Sequence, residues 1–216
     1  MEVAVERKPI KNMYVRVVPP GDKAPAAEPV VRVTAPQRMP EEAILRFLHS
    51  REAWIDRQRA RLMSLPQEPG GYEGGERVLM WGKALPLCLA EAKGGANAKR
   101  GAAESNGTLY LFCRPGDGPA ERKALVSAWR RERLLAAVAL LAPECERRTG
   151  LHANEWRARE MKTRWGSCNT RDARVWLNVR LTEHPVECLE YVMLHELTHL
   201  AEPGHGAAFY AALASA

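Results

Sequence analysis

The sequence predicts an α+β protein in two parts: a small antiparallel β-rich region with one helix over residues 1–114, and a helix-and-sheet domain over residues 119–216. Short apolar/polar alternations, the period of a strand with one buried face, crowd the first part and return between residues 155 and 179. Apolar residues at helical spacing mark three longer stretches that begin near Pro40, Pro119 and Pro185. Between the parts, Pro115-Gly116-Asp117-Gly118-Pro119 combines turn residues with a proline suited to the first turn of a helix, which makes it the domain boundary.

A chain of 216 residues with 46% hydrophobic residues is long enough for one sizeable core or two small ones. No apolar run reaches the roughly 18 to 20 residues that cross a bilayer, and Met1 to Glu6 lack the basic-then-apolar order of a secretory signal. The expected compartment is therefore the cytoplasm, with no membrane partner. Cys88, Cys113, Cys145, Cys168 and Cys188 are widely spaced and form no Cys-x-x-Cys pair, so they read as reduced, mostly buried thiols. The net charge of +6 favours anionic partners through long-range attraction. Its arginines fall in groups (Arg51, Arg57, Arg59 and Arg61; Arg130, Arg131 and Arg133; Arg147 and Arg148) that usually form solvated helix faces, which leaves a nucleic-acid partner weakly supported.

Met13 to Val18 and Pro29 to Thr34 are the clearest strands of the first part, with Pro19-Pro20-Gly21-Asp22 and the Ala/Pro-rich residues after it as the turn between them. Pro40-Glu41-Glu42 opens a helix whose Ile44, Phe47, Leu48, Trp54, Ile55 and Leu62 form a core stripe, with acids first and arginines later as the helix dipole favours. Pro66 to Glu76 is a loop, and Arg77 to Leu89 is a hairpin around Gly82-Lys83. Residues 92–107, small, polar and basic, read as a surface loop before a strand at Thr108 to Cys113. After the boundary, Leu125, Val126, Trp129, Leu134, Leu135, Val138 and Leu141 give a long helix its apolar side, and Pro143 is expected to kink it or to begin a second segment ending near Gly150.

Glu155 to Met161 and Arg174 to Val179 alternate as strands, with Asn169 to Ala173 as the hairpin loop. Cys168 and Ser167 are poor candidates for a nucleophile, since a single cysteine gives little support and Gly-x-Ser-x-Gly is absent. Residues 165–168 read instead as a packed strand end, where Gly166 permits close approach of another backbone and Trp165 fills a gap beneath it.

The chemistry concentrates in the helix opened by Pro185, with His184 or Thr182 near its cap and Glu187 in its first turn. It carries His195-Glu196-Leu197-Thr198-His199, followed after Pro203-Gly204 by His205, and so holds three of the chain's six histidines. Positions four apart on a helix differ by roughly 40° around the axis, so His195 and His199 project from one face and can grip one metal ion. Imidazole nitrogens are ligands that zinc prefers, and Glu196 suits a base that takes a proton from water activated there. Pro203-Gly204 breaks the helix and can fold His205 back as a third protein ligand, leaving the open fourth position of a catalytic zinc. Glu202 and an acidic residue further downstream compete for that role; His205 is favoured because a five-residue gap containing Pro and Gly can close a ligand loop. Val186, Leu189, Val192, Met193 and Leu200 form the packing side, and polar groups stranded among them without a metal would be costly. A His-Glu-x-x-His pattern arises by chance in a chain this long with a probability on the order of half a percent, so its helical setting points to a metal-dependent hydrolase.

Lys162-Thr163-Arg164-Trp165-Gly166-Ser167-Cys168, Leu177-Asn178-Val179-Arg180-Leu181, and Tyr191 to Leu200 with His205 and Phe209-Tyr210 resemble the YgjP-type metal-dependent hydrolases, relatives of SprT-like zinc metallopeptidases. The order of the N-terminal strands, the Pro40 helix and the Leu79 to Leu87 hairpin is similar too, although only the second half is specific. The resemblance implies a minimal zincin-like metallopeptidase domain over residues 119–216, zinc (Zn2+) on His195, His199 and His205, and Glu196 as the catalytic acid/base. Phe209-Tyr210 stands where that family commonly has Phe-Trp.

The expected activity is hydrolysis of a polypeptide substrate, which could pair with an exposed strand edge at Arg174 to Leu177 or on the approach to Trp165. Tyr191 and Tyr210 are candidate oxyanion donors, while Asn178 is expected to satisfy local backbone groups. Two other readings keep the motif: a metal-dependent hydrolase of nucleotides or phosphoanhydrides, and a DNA-associated SprT-like protease or nucleic-acid-binding module.

Overall fold

In the computed structural model, which describes residues 3–18, 29–64, 70–93 and 99–216, the most regular alternation of the first part becomes the middle strand of a sheet. Strands β1 (Val3–Lys8) and β2 (Tyr14–Val18) flank β3 (Val30–Pro36). Val31, Val33 and Ala35 alternate on the buried face of β3 and pack against Ile44, Leu48 and Ile55 of the following helices. The expected sheet was antiparallel, but only β2 runs antiparallel to β3; β1 runs parallel to it. A central strand inserted between two neighbours of opposite sense must be parallel to one of them.

The single helix expected after Pro40 is interrupted. Arg51 leaves helical geometry (φ −111°, ψ 4°) and separates α1 (Glu41–Ser50) from α2 (Glu52–Ser64). The Pro19 to Asp22 turn lies outside the described residues. These elements belong to one compact unit, Met1–Gly70, and the rest of the chain, Gly71–Ala216, forms a second.

The second unit opens with a four-stranded sheet in the order β4-β5-β7-β6, formed by β4 (Arg77–Met80), β5 (Lys83–Glu91), β6 (Gly101–Ser105) and β7 (Thr108–Cys113). The two-residue turn between β4 and β5 is Trp81-Gly82, with φ of 49° and 76°, the left-handed pair that matches strand twist in a tight hairpin. It lies one residue earlier than expected. Strand β6 falls inside the stretch read as a surface loop; Asn106-Gly107, at φ 49° and 72°, turns it into a hairpin with β7.

Helix α3 (Pro119–Thr149) is continuous through Pro143 and stops at Gly150, which adopts φ 68° and donates its N–H to the Glu146 carbonyl at 2.8 Å. No second segment begins at Pro143, because both halves of the helix are held by packing. Val126 and Trp129 join the core of the four-stranded sheet, and Leu134, Val138, Ala142 and Cys145 join a second core beneath the C-terminal elements. Two arginines read as solvated are structural: Arg130 is buried, pairs with Glu183 at 3.4 Å and donates to the Leu79 carbonyl at 2.7 Å, while Arg131 donates to the Ala158 carbonyl at 3.0 Å.

The last sheet has the order β8-β10-β9, from β8 (Glu155–Arg159), β9 (Gly166–Asn169) and β10 (Arg174–Asn178). Its central strand is parallel to β8 and antiparallel to β9. A 3-10 turn (Val179–Glu183) then leads into α4 (Val186–Thr198) and α5 (Ala207–Ser215). The Trp81-Gly82 hairpin tip braces the start of α4: the Trp81 N–H donates to the Thr182 carbonyl at 2.6 Å, and a Cβ on Gly82 would lie 3.1 Å from Cγ of Pro185. The architecture is α+β, with five α-helices and three small sheets among the described residues.

Candidate metal centre

Leu189, Met193 and Leu197 anchor α4 in the core, which turns His195 toward the opposite side. The helix ends at Thr198 with His199 as its C-cap, earlier than the expected break at Pro203. Tight turns carry the chain onward: the Leu200 N–H donates to Leu197 and the Glu202 N–H to Thr198, both at 2.9 Å. They bring the Glu202 carbonyl to 3.1 Å from Nδ1 of His199. A carbonyl only accepts, so Nδ1 carries the proton and Nε2 is left with its lone pair for a metal. Glu202 thus contributes its backbone rather than its carboxylate.

His205 returns over α4, and its Nε2 lies 3.1 Å from Nε2 of His195. One nitrogen from each of His195, His199 and His205 falls within 4.8 Å of the others. Two nitrogens bound tetrahedrally at about 2.0–2.1 Å would sit about 3.3 Å apart, so the spacing fits an ion of zinc's size and ligand preference. Phe209 of α5 is fully buried beneath the cluster, with its ring 4.9, 4.7 and 4.8 Å from the rings of His195, His199 and His205. The sequence marks Phe209 only through the resemblance, because one aromatic in a short apolar helix carries no signal of what it supports.

Glu196 is 5% exposed and lies against Gly166, the first residue of β9. Gly166 therefore admits a side chain, not the backbone expected there. Burial pushes the Glu196 carboxyl up to about 7, and the charge of Arg164 opposes the shift. Burial also pushes His195 down, with the charges of His199 and His205 acting in the same direction.

Trp165 is 44% exposed, so it fills no gap; its ring meets His184 edge-on at 5.0 Å. Neither His184 nor Thr182 caps α4, since Pro185 is the N-cap and the Thr182 hydroxyl donates to the Val179 carbonyl at 2.8 Å. Tyr191 and Tyr210, each 56% exposed, flank the triad with rings 6.3 Å from His195 and 6.4 Å from His205. Asn178 bonds local backbone, donating to the carbonyls of Met161 and Arg164 at 2.8 Å. Burial and the neighbouring Glu196 push the Cys168 thiol up to about 11, which leaves little thiolate at neutral pH. Arg174 to Leu177 cannot serve as a free edge, because β10 is paired on both sides; the edge next to Glu196 is β9.

No helix among the described residues is long and apolar enough to cross a membrane. A comparison with curated proteins gives no match. Among solved structures, the crystal structure of the metallopeptidase zymogen of Pyrococcus abyssi abylysin is similar with a TM-score of 0.34 and 20% sequence identity, over 36% of this chain and 77% of that one. The family model described as YgjP-like, metallopeptidase domain, matches residues 23–216, a span that holds the histidine cluster, Glu196 and both sheets of the second unit. The chain belongs to the YgjP-like family and is a metal-dependent peptidase.

Proposed function

We propose that the chain is a zinc-dependent metallopeptidase in which His195, His199 and His205 hold the ion and Glu196 moves the protons, all within the 119–216 domain. The observation that carries this is the convergence of three histidine nitrogens within 4.8 Å beside a buried glutamate. A zinc ion, when bound, acidifies water toward a pKa of about 7 and polarises a carbonyl oxygen.

The chain's own residues supply the rest. The Glu202 carbonyl fixes the His199 tautomer, and Phe209 holds the three rings in register. Glu196 takes a proton from the attacking water at a carboxylate oxygen. As the water oxygen bonds to the scissile carbonyl carbon and the C–N bond breaks, Glu196 passes that proton to the leaving amine nitrogen. An extended polypeptide is taken as an added strand along the edge of β9, with Trp165, Tyr191 and Tyr210 around the opening.

The test is a substrate panel run on zinc-loaded wild type and Glu196→Gln. Peptide cleavage that falls about 10²- to 10⁴-fold in the variant supports the proposal. Phosphate release from nucleoside triphosphates with peptides untouched contradicts it, as does salt-sensitive DNA binding that survives Glu196→Gln without peptide cleavage.

A further inference from the structure

A Cβ built on Gly166 would lie 2.6 Å from Oε1, 2.7 Å from Cγ and 2.9 Å from Cδ of Glu196. Non-bonded carbon atoms settle at about 3.5–4.0 Å, so any larger residue at 166 forces either the strand or the glutamate to move. Gly166 does not have the left-handed backbone that would itself require glycine. The requirement comes from the neighbour.

The strand is the harder of the two to displace. Gly166 is paired with Leu177 in the β9–β10 ladder, and the segment entering it is clamped by the buried Asn178. Nδ2 of Asn178 donates to the Met161 and Arg164 carbonyls at 2.8 Å, and its backbone N–H donates to the Trp165 carbonyl at 2.8 Å. Its Oδ1 accepts the Arg180 N–H at 3.1 Å. Shifting β9 would break several of these bonds at once, and buried polar groups are costly to leave unpaired. Glu196 needs only to rotate about its side-chain bonds, so the carboxylate gives way.

We infer that Gly166 is a positioning residue for Glu196: its missing side chain is the seat of the carboxylate, and Asn178 keeps that seat in place. The inference rests on the assignment of Glu196 as the proton-transferring base. It gives the Trp165-Gly166 strand end a task that neither metal binding nor core packing explains.

The experiment compares wild type, Gly166→Ala, Glu196→Ala and the double variant, each loaded with zinc. In Gly166→Ala, zinc stoichiometry is retained and KM stays within about threefold, while kcat for a peptide falls about 100-fold, as for a catalytic group misplaced by about 1 Å. The melting temperature falls by about 3 °C or more when Ala is introduced beside Glu196, and does not fall when it is introduced beside Ala at 196. An unchanged kcat in Gly166→Ala, or an equal loss of melting temperature in both backgrounds, overturns the inference. If Gly166→Ala fails to fold, a folded double variant supports the seat and an unfolded one rejects it. Peptide cleavage that survives Glu196→Ala contradicts the base assignment alone, and the coupling in melting temperature then decides the seat independently.

Discussion

Glu196 stands where two effects oppose each other: burial pushes its carboxyl up to about 7, and the positive charge of Arg164 pulls it back. A carboxyl raised above its ordinary value of about 4.3 stabilises the fold while protonated, so its contribution is fully present below that value and is lost as pH rises through about 7. In metal-free protein, wild type is therefore expected to lose on the order of 2–3 kcal/mol relative to Glu196→Gln between about pH 4.5 and pH 7. Thermal melts of the two proteins at pH 5 and pH 8 check this; a difference that does not change with pH contradicts it. His195 is shifted the other way, so its stabilisation is lost as pH falls, but it is common to both proteins and cancels in the comparison. His195, Glu196, His199 and His205 stand out in the sequence because their spacing is local. Gly166 and Asn178 are marked in the sequence too, as a close approach and as a partner of backbone groups, but what each meets, Glu196 for Gly166 and Met161 and Arg164 for Asn178, is brought near only by the fold. Glu202 is near His199 in sequence, yet only the turn after α4 decides that its carbonyl rather than its carboxylate is used.

Among the elements, the β4–β5 hairpin braces the start of α4 and α5 supports the histidine cluster. Gly82, at φ 76° and with a Cβ position only 3.1 Å from Cγ of Pro185, is where the hairpin tip meets the start of α4. Gly82→Ala is expected to cost about 1–2 kcal/mol, lowering the melting temperature by about 4 °C, without abolishing zinc binding. On the other side, Phe209 touches all three histidine rings, so Phe209→Leu should weaken zinc affinity about 10-fold in a competitive chelator titration. Equal affinities would mean that the ring only fills space. The Asn106-Gly107 hairpin was readable from its turn residues alone, yet the small and polar residues around it dominate that stretch. The interruption at Arg51 was hidden for a different reason, since the apolar stripe keeps helical spacing on both sides of it.

At the scale of the whole molecule, alternation reveals that strands exist but not which strands pair. Parallel pairs join β1 to β3, β5 to β7 and β8 to β10, and each is a long-range choice that no local pattern encodes. The layered α+β class was legible all the same, because the helical and strand periods occupy separate stretches. All three histidines, Glu196 and both cores packed on α3 belong to the unit Gly71–Ala216. A chain beginning at Gly71 is accordingly expected to melt cooperatively and to bind one equivalent of zinc; a fragment that neither melts cooperatively nor binds zinc would contradict this. Joint hydrolysis of peptides by a three-histidine zinc centre and Glu196 is tested most directly by measuring metal content and peptide hydrolysis on the same sample of Glu196→Gln. The expected result is one equivalent of zinc with hydrolysis reduced about 1000-fold; hydrolysis at the wild-type rate in zinc-loaded Glu196→Gln would contradict it.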